Sequence, residues 1–380
     1  HQLLKYLMMT YKETFYFVAK CLTISLEHKN REEIEKQLQS NNIDWDAVVK
    51  VSTAHYVFPA LYCNLKRADF LKYIPEDLVA YMEEITNLNR DRNTAIIQQA
   101  KELNALLVTH NCTPIFLKGT GNLLSNLYED TAERMVGDID FIFSKEDYPK
   151  AIAILYKNGY ERTVKSNAKI DYVDHVFNKH YPRLHKENNI AAVEVHKEYL
   201  MEKYIGEFNY KNTHQSAQTI NGVRVLSYAN KVNLTIIANQ INDRGYHYKN
   251  IGLRNAYDVF LLSKQTVASK AMGSLKDLKE PLECFVATTF EVFNRPKSLQ
   301  YISTKATTIF LKRFQTQFSN PAKTKRKHRT LKIKILLQIR LEILWKAVFD
   351  RKTRIWVFYR LSDPKWYQEK WKQTITALIT

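Results

Sequence analysis

The chain has 380 residues and a net charge of +18, and 45% of its residues are hydrophobic. This size is typical of a globular protein with two or three domains, and only 9 glycines and 9 prolines exclude collagen-like and low-complexity architectures. More than half of the net charge falls between Lys323 and Arg354. Such a segment favours RNA, DNA, nucleotides or an anionic membrane as partners, although a solvated basic helix has the same composition.

Cysteine usage and hydropathy bear on the cellular compartment. The four cysteines are widely spaced and lack metal-ligand spacing, so we expect reduced thiols in a cytoplasmic protein. Lys5, Lys12 and Lys20 interrupt the apolar N-terminal stretch, so no signal peptide is expected. No uncharged run approaches the roughly 18 residues that a membrane-spanning helix needs, and no transmembrane segment is predicted.

Residues 1–110 have the apolar spacing of helices. Trp45 to Leu65 is predicted as one helical segment. Pro75, followed by two acids, predicts the first turn of a long helix that ends near His110. This region shows no evident chemistry and is expected to support the rest of the protein.

The segment that follows carries the first candidate site. It predicts a short strand at Ile115 to Leu117, a turn at Lys118 and Gly119, a short helix, and a second strand that begins at Asp138. Glycine at the turn lets a phosphate approach the backbone closely. The order of strand, turn and helix therefore suits phosphate binding.

Two carboxylates share one face of the second strand. Side chains alternate along a strand, so Asp138 and Asp140 point to one side while Ile139 and Phe141 point to the core. A divalent metal relieves the repulsion between the carboxylates, and Mg²⁺ prefers one or two carboxylates together with substrate phosphates. The pair predicts phosphate chemistry, although Asp-x-Asp also occurs on ordinary surface strands and in sugar-nucleotide glycosyltransferases.

A later strand supplies a third acid. Lys145 to Asn158 is predicted as a helix that ends at Gly159, and Ile190 to His196 as a strand on which Glu194 and His196 share one face. A glutamate in an apolar strand is costly to bury alone. A place beside the two aspartates around a metal would explain it, and an edge strand with a solvated face is the alternative.

Three histidines precede that strand. His175, His180 and His185 are five residues apart, which does not place them on one strand face, so no zinc site is predicted. His175 is the histidine that we expect near the active site.

The region after the third acid predicts a hairpin and then helices. Asn221 and Gly222 form a typical hairpin turn. Helices are predicted over residues 227–243 and 252–264. On the second helix, three polar residues share one side and are expected to face a cleft: Arg254, Asn255 and Asp258.

Leu331 to Phe349 is predicted as a helix that buries a wide apolar stripe against the body of the protein or against a partner. Trp356, Trp366 and Trp371 indicate docking of the C-terminal segment rather than a loose tail. A helix that lies in a membrane interface is the alternative.

These residues together suit nucleotidyl transfer. Three acids on adjacent strands can hold two Mg²⁺ ions, one to activate an attacking hydroxyl and one to hold the triphosphate. Lys118 and the amides of Gly119 and Thr120 suit phosphate binding. Arg134 can neutralise developing charge or orient the acids.

The order of these motifs resembles the uncharacterised nucleotidyltransferase family of the DNA polymerase β superfamily. The similar residues are FLKG, LLxxLY, an arginine four residues before Asp-Ile-Asp, NGY and VEVH, and they span about residues 40–265. The superfamily pattern is a glycine-containing pair at a helix start, an acid-x-acid strand and a third acid on a later strand. Here Thr120 is the second residue of the pair, and seventeen residues separate it from Asp138, a lengthening that the family shares.

The resemblance implies an α+β fold with a small mixed sheet of polymerase β type, flanked by helical regions. It implies four parts: an N-terminal helical region (1–110), a nucleotidyltransferase core (111–227), a helical region (228–319) and a basic C-terminal helical region (320–380). The implied catalytic residues and metal ligands are Asp138, Asp140 and Glu194. The implied ligands of the nucleotide are Lys118, Gly119, Thr120, Arg134 and His196.

The predicted activity is Mg²⁺-dependent transfer of a nucleoside monophosphate from an NTP to a hydroxyl acceptor. The acceptor is RNA such as tRNA, a small molecule or a protein side chain. The alternative is a non-catalytic basic protein that binds RNA or an anionic surface and retains a degenerate core. A metal-dependent glycosyltransferase would leave Lys118 and Glu194 unexplained.

Overall fold

The computed structural model describes residues 9–163, 179–200, 202–364, 368 and 371. It shows an α+β protein in which one small mixed sheet is flanked by helices, so the predicted fold class is confirmed. His175 and Trp366, which the sequence singled out, lie outside the described residues.

Helices form the N-terminal region, as the apolar spacing predicts. They are α1 (Tyr11–Cys21), α2 (His28–Gln39), α3 (Trp45–Ala54), α4 (Phe58–Arg67) and α5 (Glu76–Thr109). The prediction of one helix from Trp45 to Leu65 is wrong. Tyr56 has a φ of 56°, which no α-helix accommodates, and Pro59 then begins a new helix.

Strands and helices then alternate before the chain becomes helical again. The strands are β1 (Ile115–Phe116), β2 (Asp138–Ile142), β3 (Glu161–Arg162), β4 (Leu184–His185), β5 (Ala192–His196), β6 (Gln218–Ile220) and β7 (Val223–Val225). The helices among them are α6 (Lys118–Leu124), α7 (Asp147–Lys157) and α8 (Tyr210–Thr213). The helices after them are α9 (Tyr228–Ile237), α10 (Gly245–Tyr248), α11 (Leu253–Leu262), α12 (Ala268–Ala271), α13 (Lys279–Val292), α14 (Lys305–Gln317), α15 (Pro321–Phe349) and α16 (Arg351–Leu361).

The sheet places the predicted acids on neighbouring strands. The strand order is β3-β4-β5-β2-β1-β7-β6, and β2 lies parallel to β5 near its centre. The register pairs Asp140 with Glu194 and Ile142 with His196. Phe141 and Val195 point to the opposite face and are fully buried. The alternation of side chains along both strands therefore gives one apolar face and one acidic face.

The predicted hairpin is confirmed. β6 and β7 pair antiparallel, and Asn221 and Gly222 connect them with φ values of 49° and 78°. Positive φ at both turn residues is the type I′ geometry that matches the twist of the two strands.

The N-terminal helices hold the segment between α6 and β2. Asn89 and Asn93 of α5 donate from Nδ2 to the carbonyl of Arg134, at 3.3 and 2.7 Å. Glu133 accepts a hydrogen bond from Arg67 of α4 at 2.5 Å. The helical region therefore fixes the backbone immediately before the acidic strand.

The basic C-terminal helices leave much of their apolar surface exposed. α15 and α16 pack on each other, and Ala347 is the one buried side chain of α15. Leu341, Trp345 and Phe349 are exposed, as is Trp371. The predicted stripe is thus not buried against the body of the protein. Among the described helices, none combines the length and the apolarity that crossing a bilayer requires.

A buried lysine lies behind α6. Lys231 of α9 donates from Nζ to the hydroxyl of Ser125, and Nζ lies 3.4 Å from the carbonyl of Gly121. Burial lowers the pKa of Lys231 to about 7. Because the unfolded-state pKa is about 10.4, unfolding takes up a proton between those two values.

We predict that Lys231→Met removes a pH dependence of stability. In the wild type, the free energy of unfolding should rise by about 1.4 kcal/mol per pH unit between pH 7 and 10 relative to the variant, because only the unfolded state keeps the lysine proton there. Denaturant unfolding at pH 7, 8 and 9 measures this difference. Lys270→Met, at an exposed position, is the control and should follow the wild type. Parallel curves for Lys231→Met and the wild type would contradict the prediction.

Candidate active site

The acidic face of the sheet brings together the three predicted carboxylates. Asp138 and Asp140 lie on the same side of β2, and Glu194 of β5 lies beside Asp140. One nitrogen, Nη2 of Arg183, lies 2.8 Å from Oδ2 of Asp138 and 3.1 Å from Oε1 of Glu194. The three carboxylates therefore form one cluster rather than separate surface charges.

A lysine and a histidine complete this cluster. Nζ of Lys118 lies 2.6 Å from Oδ1 of Asp140 and 3.7 Å from Oε2 of Glu194. Nε2 of His196, which is buried, lies 2.8 Å from the same oxygen of Asp140. His196 is thus in direct contact with the acids, as its shared strand face with Glu194 indicates.

The ligand atoms of Asp140, Glu194 and His196 lie within 4.8 Å of one another and could hold a metal ion. Two carboxylates and an imidazole suit several divalent metals, whereas Mg²⁺ prefers oxygen ligands. The ammonium of Lys118 lies between the two carboxylates, where the acids already bind one positive charge. The donor set therefore fits a divalent cation, and Asp138 lies close enough to add oxygen ligands through the cluster.

The charges in the cluster shift one another's pKa. Burial raises the pKa of Asp138, and the charge of Arg183 offsets part of that shift. Burial alone would raise the pKa of Glu194, but the hydrogen bond with His196 and the charge of Lys118 outweigh it and lower that pKa. Burial would lower the pKa of Lys118, but the two acids nearest to it raise it. The cluster thus keeps Glu194 ionised and Lys118 protonated.

The turn before α6 has little room for larger residues. Lys118 has a φ of 50°, a conformation that is costly for a residue other than glycine. A Cβ on Gly119 would lie 2.9 Å from Cγ2 of Val136, and one on Gly121 would lie 2.7 Å from the carbonyl oxygen of Phe116. The turn therefore packs directly on β1 and on the segment before β2.

Gly119 and Thr120 are buried beside the cluster. The hydroxyl of Thr120 donates to the backbone carbonyl of Asp138 at 3.0 Å. This bond ties the start of α6 to the acidic strand. The proposed contact of these two residues with phosphate stays a prediction.

Arg134 lies in a buried ion pair. Its Nε donates to Oδ2 of Asp258 on α11 at 2.9 Å, and Tyr128 donates to the other oxygen of that carboxylate at 2.8 Å. Nη1 of Arg134 donates to the carbonyl of Met135 at 2.6 Å. The guanidinium therefore joins the segment before β2 to α11, and its charge is balanced by Asp258.

A pocket of about 190 Å³, which we call the cationic pocket, opens beside Lys118. The predicted orientation of Arg254, Asn255 and Asp258 is confirmed, since all three line it. The other lining residues are Lys118, Arg134, Lys179, Thr235, Ala238, Asn242 and Asp243. Lys118 thus contacts the acidic cluster and also lines the cationic pocket.

Arg254 is the unusual member of this pocket. Its Nε is buried without a hydrogen-bond partner, and its guanidinium lies 4.9 Å from the centre of the Tyr56 ring. Burial lowers the pKa of Arg254, and the charge of Arg134 adds to that shift. A buried arginine with an unused donor is ready to bind an anion such as phosphate.

A π-helical turn, Ala238–Asn242, forms the opposite wall. Such turns interrupt regular helices and often occur at functional sites. Asp243 follows it, and burial raises the pKa of that carboxyl group. The turn directs two polar residues, Asn242 and Asp243, into the pocket.

Sequence reasoning missed Arg183, Lys179 and Asp243. The first two flank the histidine-rich stretch that was examined for zinc, and their charges were not considered. His180 lies against His196, with ring centres 5.0 Å apart, whereas His185 belongs to β4. Basic residues in a segment that precedes an acid-bearing strand are the signal that could have identified Arg183.

The model of a protein family described as uncharacterised nucleotidyltransferase matches residues 41–289 of this chain. Comparisons with curated proteins and with solved structures gave no match. The matched range contains the acidic cluster, the turn before α6 and the residues of α11 that line the cationic pocket. It covers well over half of the chain, and it confirms the resemblance that the motifs indicate. The chain therefore belongs to the uncharacterised nucleotidyltransferase family.

Proposed function

We propose that the protein is an Mg²⁺-dependent nucleotidyltransferase that moves a nucleoside monophosphate from an NTP to a hydroxyl acceptor. The observation that carries the proposal is the register of β2 and β5, which places Glu194 beside Asp140 next to a pocket lined by cations. In the reaction, the acceptor oxygen bonds to the α-phosphorus, the bond to the bridging oxygen breaks, and pyrophosphate leaves.

The acids have the role of metal ligands in this proposal. Asp138, Asp140 and Glu194 would hold the cations, with His196 orienting Asp140 through their 2.8 Å contact. Bound Mg²⁺ supplies charge that activates the hydroxyl and stabilises the leaving group. Glu194, kept ionised in the cluster, favours loss of the acceptor proton.

The cationic pocket has the role of phosphate site. Lys118, Lys179 and Arg254 line it, and phosphoryl transfer depends mainly on positioning and on neutralising charge. Burial lowers the pKa of Lys179, and the charge of Lys118 adds to the shift. A bound triphosphate would relieve this repulsion between cations. NTP is therefore the substrate that suits the pocket best.

One observation favours the second candidate, a non-catalytic protein with a degenerate core. The three carboxylates already have cationic partners in Lys118 and Arg183. A site that has lost its metal could be stabilised in this way. Metal-dependent labelling by an NTP separates the two candidates.

The location and the organisation of the chain belong to the same proposal. The four cysteines are buried and unpaired, which supports a cytoplasmic protein. We retain the division into regions 1–110, 111–227, 228–319 and 320–380, with the transfer reaction in the second region.

We predict that Asp140→Asn and Glu194→Gln abolish transfer. Each change removes one carboxylate charge from the cluster, and loss of metal binding should lower the rate by about a thousandfold. Labelled NTPs are incubated with Mg²⁺ and with RNA, a small-molecule extract or the protein alone, and transfer of label is measured. Binding of Mn²⁺, followed by its paramagnetic signal, should weaken in both variants.

The control for these variants is Glu187→Gln, which makes the same chemical change at an exposed position in the turn between β4 and β5. It should transfer label like the wild type. Transfer by both site variants at the wild-type rate would refute the proposed role of the cluster. Absence of transfer by the wild type, with any acceptor, would favour the degenerate core.

We predict opposite effects for the two arginines of the cationic pocket. Arg254→Gln should raise the NTP dissociation constant by about tenfold to a hundredfold and leave stability unchanged, because its Nε has no protein partner to lose. Arg134→Gln should lower the free energy of unfolding by about 3 kcal/mol, because it leaves Asp258 buried and unpaired.

Calorimetric titration with a non-hydrolysable NTP and thermal unfolding measure the two effects separately. Lys270→Gln, an exposed change of the same charge, serves as the control for nucleotide binding. Unchanged NTP affinity in Arg254→Gln would exclude this arginine from the phosphate site.

A further inference from the structure

A second cationic depression lies outside the proposed active site. It has a volume of about 620 Å³ and lies between α10 and the junction of α14 with α15. Its charged walls come from Lys249, Arg313, Lys323 and Lys327, with His247 and His328 beside them. We call it the basic groove.

The basic groove contains an excess of positive charge. Among its described lining residues there is no carboxylate. Burial lowers the pKa of Lys249, and Arg313 contributes to the shift. Burial also lowers the pKa of His247, and the charge of Lys249 lowers it further. Cations that repel one another in a concave site favour an anionic ligand.

The walls of the groove are fixed by hydrogen bonds. Nε2 of Gln317, at the end of α14, donates to the carbonyls of Tyr248 and Lys249 at 2.6 and 3.2 Å. The hydroxyl of Thr324 on α15 donates to the carbonyl of Gln317 at 3.1 Å. These bonds hold α10, α14 and α15 together, so the groove is a formed site rather than a loose set of lysines.

Aromatic rings lie among the charges. The rings of Tyr248 and His328 meet edge to face, with centres 5.1 Å apart. Nζ of Lys249 lies 3.9 Å from the centre of the Tyr246 ring. Proteins that bind single-stranded nucleic acids combine a positive groove for the backbone with rings on which bases stack. The basic groove has both features.

The groove lies next to the cationic pocket. Asn242 and Asp243 line the pocket, whereas His247 and Lys249 line the groove. The single turn of α10 between them is four residues long, or about 6 Å. A strand in the groove would therefore have an end within reach of a nucleotide in the pocket. A flat bilayer could not enter a concave site of this kind.

We infer that the basic groove binds the phosphate backbone of a single-stranded RNA and presents its terminal hydroxyl as the acceptor. As an account of the acceptor, this inference rests on the proposed nucleotidyl transfer. As an account of binding, it rests on the groove alone. Each lysine that pairs with a phosphate releases counterions, so the affinity should fall steeply with salt.

The test compares two pairs of substitutions on α15. Lys323→Gln with Lys327→Gln removes two charges that line the groove, and Lys325→Gln with Arg329→Gln removes two charges of the same helix that do not. Binding of a fluorescent 20-nucleotide RNA is measured by anisotropy from 50 to 300 mM salt. The groove pair should weaken binding by about tenfold and reduce the slope of log K against log salt by about 1.4, whereas the control pair should stay near the wild type.

Two results would overturn the inference. One is equal binding by the groove pair and the control pair, which would mean that general charge attracts the RNA. The other is binding to phosphatidylserine vesicles without binding to RNA, which would assign this region to a membrane surface. Labelling of a DNA strand of the same sequence, without labelling of the RNA, would also exclude an RNA acceptor.

The same variants separate this inference from the proposed function. NTP affinity and label transfer are measured beside RNA binding, with Asp140→Asn as the inactive reference. Groove-dependent RNA binding without any transfer refutes the proposed function and retains the binding site. Transfer to a small molecule with no RNA binding retains the proposed function and refutes the RNA acceptor.

Discussion

Repulsion among carboxylates is the constraint on which the site depends. The parallel pairing of β2 with β5 places Asp140 beside Glu194, with Asp138 two residues earlier on the same face. Like charges at such distances in a partly buried site destabilise one another strongly. Lys118 and Arg183 offset the repulsion from two sides. The strand register is therefore compatible with folding only when cations, whether side chains or metal ions, accompany the acids.

Three parts of the chain supply the support for that arrangement. Helix α5 fixes the carbonyl of Arg134, whose guanidinium pairs with Asp258 on α11. Arg67 of α4 binds Glu133 in the same segment. A buried pair of this kind is costly to break from one side, so these helices hold the start of β2 in place. The family match from 41 to 289 includes all of these residues, which is consistent with one structural unit.

The sequence predicted what depends on local spacing. The shared face of Asp138 and Asp140 follows from strand alternation, and Glu194 was found because an isolated buried glutamate is costly. Arg183 was missed because its ion pairs require the antiparallel contact of β4 with β5, which local spacing does not encode. The break between α3 and α4 was missed because Tyr56 adopts a left-handed conformation that its side chain does not favour.

Lys118 explains why backbone strain is tolerated at the centre of the site. Its left-handed conformation costs about 1–2 kcal/mol, a cost that glycine would avoid. Glycine, however, would supply no ammonium group between the acidic cluster and the cationic pocket, and that group contacts Asp140 at 2.6 Å while lining the pocket. A metal ion bound by Asp140 and Glu194 would compete with this ammonium for the same oxygens. Displaced from them, Lys118 would already face the phosphates, so one side chain can neutralise the acids before the substrates bind and the triphosphate afterwards.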